Sequence, residues 1–309
     1  MTRGAMNLGG AMTLFGVLGA FVVSPMAATI PSDVKKAVAF VFLSDAQGEP
    51  ALDKSGNPIP LGTGFFVSVP TGRQRDRVYV YFVTAKHVLR QNNTGPLHGN
   101  VLIRLNKLDG ASGFVRLRIS GESGGERKAF FHSDSAVDLA VIPVSIDQSV
   151  FDFKLVPRDY ITSREEFNQL HIGEGAEVFS TGLFTPFGGE KRNYPVVRFG
   201  RIALVTDEPI SWEGTKMNVY LMESGSLGNS GSPVFFYRGS LQPNAYALFK
   251  LAGVMMGASQ HVRPGVPVPE GNAIPASVSN TGIAALVPCY RLHEILFGSE
   301  LEALRAKNP

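Results

Sequence analysis

The chain has 309 residues, 44% of them hydrophobic and 18% charged, enough apolar material for one large core or two smaller ones. Its net charge of +3 is spread without a basic run, which argues against nucleic acid as a partner. A single cysteine, Cys289, excludes an internal disulfide, so stability rests on packing, and the redox compartment stays open.

The N-terminal stretch carries Arg3, no acidic residue, and an apolar run from Ala11 to Val23 that is short for a membrane span. Residues 1–28 read as an export signal. Because "SPMAAT" lacks a clean small-x-small cleavage site, an uncleaved membrane anchor is the alternative. Both readings export the remainder of the chain, leaving it periplasmic, secreted, or membrane-anchored and facing outward.

From Val34 onward, short runs rich in Val, Ile, Phe and Tyr are punctuated by Gly, Pro, Asn and Asp: "AVAFVFL", "GTGFFVSV", "VYVYFVT", "NVLIRL", "FVRLRI" and "DLAVIPV". A second series follows: "AEVFSTG", "VVRFGRIALV", "MNVYLME", "SPVFFY", "LAGVMMG" and "GIAALVP". This spacing predicts an all-β protein with two groups of about six strands, packed as two barrels or sandwiches. The first group covers about 34–145 and the second about 172–290. A more polar linker, about 146–171, contains "SREEFNQL", the pattern of a short helix.

Helix is expected at two other places. "AKHVLRQ" follows a strand and fits one or two turns, while the tail, 291–309, places Leu292, Ile295 and Leu296 at helical spacing. Leu301 and Leu304 belong to a different face. Gly298 lies between the two sets, and Ser299 with Glu302 fits a capping box, so a break and restart is expected there. The glycine-rich "SGESGGER" and the proline-rich "HVRPGVPVPEGNAIPASVSN" read as mobile loops.

The chemistry centres on "SGSLGNSGSPVFF", Ser224 to Phe236. A serine hydroxyl is a poor nucleophile unless a base takes its proton, and nearby amides must face the oxyanion that develops. In "GNSGSP" the serine flanked by glycines is Ser230, with the amides of Gly228 and Ser230 as donors. Taken alone, such a cluster is an ordinary turn, so the partners decide. "VYVYFVT" runs into "AKHVL", which sets His87 at a strand end, and "SDSAVDLAVIPV" puts Asp138 at the mouth of an apolar strand. A carboxylate there costs free energy unless something hydrogen-bonds it. An imidazole N–H is a suitable partner, since an aspartate fixes the tautomer and stabilises the imidazolium.

With His87, Asp138 and Ser230 in that order at strand ends, the sequence resembles the trypsin/chymotrypsin-like serine peptidases, in particular the bacterial, disulfide-free branch with the HtrA-type protease domain, here without a PDZ domain. The matching segments are "GTGFFV", "VTAKHV", "DLAVIPV", "GNSGSP" and "LAGVMMG", across residues 34–290. The resemblance implies a fold of two six-stranded antiparallel β-barrels with a C-terminal helix, and a cleft between the barrels. It also implies a serine endopeptidase that uses no cofactor or metal and acts on protein or peptide substrates. Ser230 is then the nucleophile, His87 the general base and acid, and Asp138 the residue that orients His87, with the Gly228 and Ser230 amides as the oxyanion hole.

Two departures bear on that picture. Asn229 stands where the digestive members carry the aspartate that pairs with a newly cleaved N-terminus, so activation by that cut is not expected. Ser232 replaces the second glycine of the family's "SGGP", narrowing backbone freedom beside the site. By the same resemblance the side-chain pocket has its floor near Ser224 and its wall at Met256, Gly257 and Ala258. No acidic residue sits there, so a small or medium apolar residue before the cut is expected. Residues 256–258 also suit a substrate backbone added as a strand.

Rival chemistries fit less well. A "GxSxG" elbow needs glycine where Ser232 stands and an acid after the nucleophile, yet no aspartate follows Ser230. Six scattered histidines and one cysteine show no metal-ligand spacing; His98, His132 and His171 read as surface or structural. "DAQGEPALDKSGN" lacks a calcium loop's terminal glutamate in register and reads as a hairpin loop. From a different class, a binding module that keeps the protease fold without turnover is the alternative, although a pure binder has no physical need for all three residues.

Overall fold

The computed structural model describes residues 30–71, 77–120, 128–169, 173–212, 214–223, 230–237, 249–263 and 277–307. The leader, 1–28, therefore lies outside the described residues, as do most of "SGESGGER" and residues 264–276 of the proline-rich stretch.

After a short helix α1 (Ser32–Lys36), eight strands make the first sheet: β1 (Val38–Leu43), β2 (Pro60–Pro70), β3 (Val78–Thr84), β4 (Asn100–Asn106), β5 (Ser112–Arg118), β6 (Phe130–Phe131), β7 (Ala140–Pro143) and β8 (Val156–Pro157). Their order is β5-β4-β1-β2-β3-β7-β6, and β8 pairs in parallel with β2. All six strands expected in this half form, but the sheet is open, which corrects the expectation of a six-stranded barrel. Its two ends explain why. β6 has only two residues to offer a partner, and β5 turns Phe114, Arg116 and Arg118 to solvent, as an edge strand does.

The second half does close. Its strands are β9 (Glu177–Gly182), β10 (Val196–Leu204), β11 (Ile210–Trp212), β12 (Thr215–Met217), β13 (Tyr220–Glu223), β14 (Pro233–Tyr237), β15 (Phe249–Arg263) and β16 (Ser277–Pro288). Six of them form a closed antiparallel barrel in the order β10-β13-β16-β15-β14-β9, while β11 and β12 pair separately. The β15–β16 ladder continues to Arg263↔Ser277, so both ends of the expected proline-rich loop are strand. Lengthening a hairpin that is already paired satisfies backbone groups without needing apolar side chains, which is why composition hid it.

The linker holds α2 (Arg164–Gln169), where the Ser163 hydroxyl accepts from the Glu166 amide at 3.2 Å and the Glu166 carboxylate accepts from the Ser163 amide at 2.8 Å. This reciprocal capping box explains why a helix starts in so polar a stretch. The tail forms two helices rather than one, α3 (Cys289–Leu296) and α4 (Ser299–Lys307), broken at Gly298 as its two apolar faces require. Leu292, Leu296 and Leu301 are fully buried. The tail is also stitched to the first sheet. Tyr79 Oη donates to the Arg305 carbonyl at 3.0 Å, the Arg305 guanidinium donates to the Tyr81 hydroxyl at 3.0 Å, and His132 pairs with Glu294 at 2.7 Å.

Each half has a core of its own, and a further apolar cluster joins the two halves and α3. Phe40, Phe65, Tyr81 and Leu139 of the first half pack with Phe179, Phe235 and Val254 of the barrel and with Leu292 and Ile295 of α3. Cys289 is buried in it, and burial pushes its thiol up to about 12, so it stays protonated and unreactive.

Candidate active site

β3 ends at Thr84, and one turn of 3-10 helix, Lys86–Leu89, carries His87. Val88 and Leu89 are buried, which anchors the turn and leaves His87 partly exposed. The Lys86 ammonium donates to the Ser135 and Val137 carbonyls at 2.7 and 3.0 Å, tying the segment before Asp138 to the same turn. Asp138 then meets His87 twice: Oδ2 stands 2.6 Å from Nδ1, and Oδ1 accepts from the His87 backbone amide at 2.9 Å. An ionised carboxylate only accepts, so Nδ1 carries the proton and Nε2 of a neutral ring is the basic nitrogen. Burial pushes the Asp138 carboxyl up, but the hydrogen bonds and charge of His87, with the charge of Lys86, outweigh it and hold the carboxyl below the usual range.

Ser230 sits in a turn cradled by the first sheet. The Thr63 amide donates to the Ser230 carbonyl at 2.8 Å, and the Thr84 hydroxyl donates to the Thr63 carbonyl at 2.6 Å. Thr84 is also the last residue of the strand that delivers His87, so one short chain of bonds links both sides of the cleft. Gly231 lies at φ +85°, and a Cβ there would stand 1.9 Å from the Thr63 carbonyl oxygen. A Cβ at Gly62 would come within 2.9 Å of both the Ser230 oxygen and Val88, which shows how closely the serine turn and the histidine turn approach. The motifs "GTGFFV" and "VTAKHV" thus contain two positioning threonines that sequence reasoning did not single out. Their position inside both motifs was the available signal.

The Ser230 hydroxyl donates to the Met256 carbonyl oxygen at 2.7 Å. A hydroxyl has one proton, so in this arrangement it is not given to His87. Gly257 flanks the Ser230 hydroxyl, a Cβ there standing 4.0 Å from Oγ. Met256 turns its side chain into the inter-sheet core, and Ala258 packs against the cluster around Phe167, so this segment faces the cleft with its backbone. Ser224 and Gly228, with Asn229, lie outside the described residues. Ser232 is buried, its hydroxyl without a hydrogen-bond partner among the described residues, and fills the space where Gly182 has no side chain. Among the described residues no group of metal-ligating side chains comes together. Asp45 and Asp53 in the calcium-like stretch instead each accept backbone amides of their own turns.

A family model described as trypsin-like peptidase domain matches residues 62–241, more than half of the chain and a span that includes His87, Asp138 and Ser230. The chain belongs to the trypsin-like peptidase family. A search of curated proteins gave no match. Among solved structures, this trypsin-like peptidase domain is similar to the MamO protease domain of Magnetospirillum magneticum, at 15% identity and a TM-score of 0.45, over 85% of this chain and 96% of that one. It is also similar to the NS6 protease of murine norovirus 1, at 13% identity and a TM-score of 0.40, over 84% and 93%. A third similar structure is a mutant of human heparin binding protein, at 12% identity and a TM-score of 0.42, over 92% and 96%.

Proposed function

We propose that this trypsin-like peptidase domain is a serine endopeptidase. The observation that carries the reading is the double contact of Asp138 with His87, because it spends a buried carboxylate on fixing one imidazole tautomer. In this mechanism the Ser230 hydroxyl turns from Met256 to His87 Nε2, which takes its proton as Oγ attacks the scissile carbonyl. The Gly228 and Ser230 amides receive the oxyanion. His87 then protonates the leaving amine as the C–N bond breaks, and water, activated by the same imidazole, hydrolyses the acyl-enzyme. Residues 256–258 take the substrate backbone, and a small or medium apolar residue precedes the cut. Arg3 and the apolar run from Ala11 to Val23 support export of the chain or its anchoring in a membrane.

One observation favours a second reading, a protease-fold binding module: the Ser230 hydroxyl is engaged with Met256 rather than with the base. A fluorophosphonate separates the two. The peptidase forms an adduct on Ser230 and loses peptide hydrolysis by several orders of magnitude in Ser230→Ala and His87→Ala. A folded protein that stays unlabelled is the binding module.

A further inference from the structure

The segment 183–195, between β9 and β10, exposes three aromatic rings. Phe184, Phe187 and Tyr194 are 37%, 58% and 52% exposed. Phe187 and Tyr194 stack with centroids 6.0 Å apart, and the Arg198 guanidinium lies 5.4 Å from the Phe184 ring centroid. Clustered apolar rings at a surface mark a place where something binds.

The segment is held rigidly from the other half of the molecule. Arg104 of β4, itself buried, donates to the Gly188 and Gly189 carbonyls at 2.7 Å and to the Asn193 side chain. Buried Asn193 returns its amide to the Arg104 carbonyl, and its backbone N–H donates to Asn106 at 2.7 Å. Gly189, at φ +82°, turns the tip where a Cβ would be 2.0 Å from the Arg192 carbonyl oxygen. Burying a guanidinium among carbonyls costs desolvation free energy. The return is one fixed shape for a loop that carries aromatic rings, the preorganisation a binding surface needs.

Topology gives the rings their place relative to Ser230. β14, which follows the serine turn, has β15 on one flank and β9 on the other. Met256–Ala258 lie on the β15 flank. Gly182 and Leu183, where the aromatic segment begins, lie on the β9 flank, with Gly182 against Ser232 and the Leu183 amide bonded to Thr63 Oγ1 at 3.0 Å. A peptide paired along residues 256–258 before its cut therefore runs past Ser230 toward the aromatic segment after it.

We infer that Phe184, Phe187 and Tyr194 are specificity-determining residues that receive large apolar side chains on the leaving-group side of the scissile bond. The inference rests on the peptidase reading above. Its test uses fluorogenic peptides that share one acyl-side sequence and carry Phe, Leu, Gly or Asp at the two positions after the cut. The kcat/KM for Phe or Leu is expected to exceed that for Gly by about tenfold or more. The double variant Phe187→Ala with Tyr194→Ala brings the ratio close to one, and Phe187→Trp preserves it. Each ratio is internal to one protein preparation, so incomplete folding does not move it. A Ser230-labelled, active enzyme that is indifferent to these positions, or a double variant that keeps the preference, overturns this inference and leaves the peptidase reading standing. Absence of both the fluorophosphonate adduct and peptide cleavage overturns that reading and this inference with it.

Discussion

The Ser230 hydroxyl donates to the carbonyl oxygen of Met256 at 2.7 Å, and Met256 is the residue skipped in the ladder between β15 and β16, where Met255 pairs with Leu286 and Gly257 with Ala285. The bulge frees this carbonyl for the cleft. On the proposed peptidase reading, a peptide paired beside residues 256–258 would bring its own N–H to the same oxygen, so substrate and nucleophile would compete for one acceptor. Where the substrate wins, the hydroxyl would be released toward His87. Methylating the peptide nitrogen of the residue before the cut is therefore expected to lower kcat/KM by about tenfold or more, since one hydrogen bond and the displacement it drives are lost together. Equal rates for methylated and unmethylated peptides in a hydrolysis assay would refute this.

Asp138 gives a prediction with a sign. Its folded-state carboxyl lies below the usual range, after burial is outweighed by the hydrogen bonds and charge of His87 and by Lys86. Its contribution to stability is therefore complete above the unfolded carboxyl's value of about 3.9 and is lost as pH falls through the folded value. Denaturant unfolding of the wild type and Asp138→Asn should show a stability gap that does not shrink from about pH 7 to pH 5 and shrinks below about pH 4. A gap already closing between pH 7 and pH 5 contradicts the assignment. The same variant should reduce turnover on the order of ten-thousandfold, because asparagine favours the wrong imidazole tautomer.

Gly182 and Ser232 form a matched pair. A Cβ at Gly182 would lie 2.0 Å from Ser232 Oγ, and that buried hydroxyl has no hydrogen-bond partner among the described residues. Gly182→Ala should cost about 1–3 kcal/mol in the wild-type background and less in a Ser232→Ala background. Ser232→Ala alone removes an orphaned polar group and should leave stability equal or raise it by up to about 1 kcal/mol. Thermal or denaturant melts of the four proteins measure the coupling. Strictly additive effects would mean that the two residues do not share this space.

The strands were legible because Val, Ile, Phe and Tyr runs between turn residues state a period and a boundary at once, and each of the twelve segments read that way overlaps a strand, although of "DLAVIPV" only Ala140–Pro143 and of "MNVYLME" only Met217 and Tyr220–Glu223 lie in strands. The helix break at Gly298 was legible for the same reason, from two apolar faces that no straight helix can bury. Closure of a sheet is different. It depends on whether the end strands can meet, and nothing in "FVRLRI" announces that β5 stays an edge. β6 and β8, with two residues each, are too short to carry a period at all. Within the site, residue types pointed to His87, Asp138 and Ser230, since their chemistry is scarce at strand ends. Thr63 and Thr84 escaped notice because their partners are backbone groups: the Thr63 amide holds the Ser230 carbonyl, and the Thr84 hydroxyl holds the Thr63 carbonyl, and no residue type in the sequence marks such partners. The aromatic segment left no mark in the sequence patterns, for its rings follow no period and its shape is held by Arg104, far away in the chain.

The bond from the Thr63 amide to the Ser230 carbonyl has a wider meaning for how this molecule can be switched. The serine turn belongs to the barrel, yet the groups that hold it, and the His87–Asp138 pair it faces, belong to the open sheet. The site is thus an interface rather than a property of either half. On the peptidase reading, a slide of one half against the other would part Ser230 from His87 and disturb the cluster the halves share, while the cores internal to each half stayed intact, so activity would report the docking of two units rather than the folding of one.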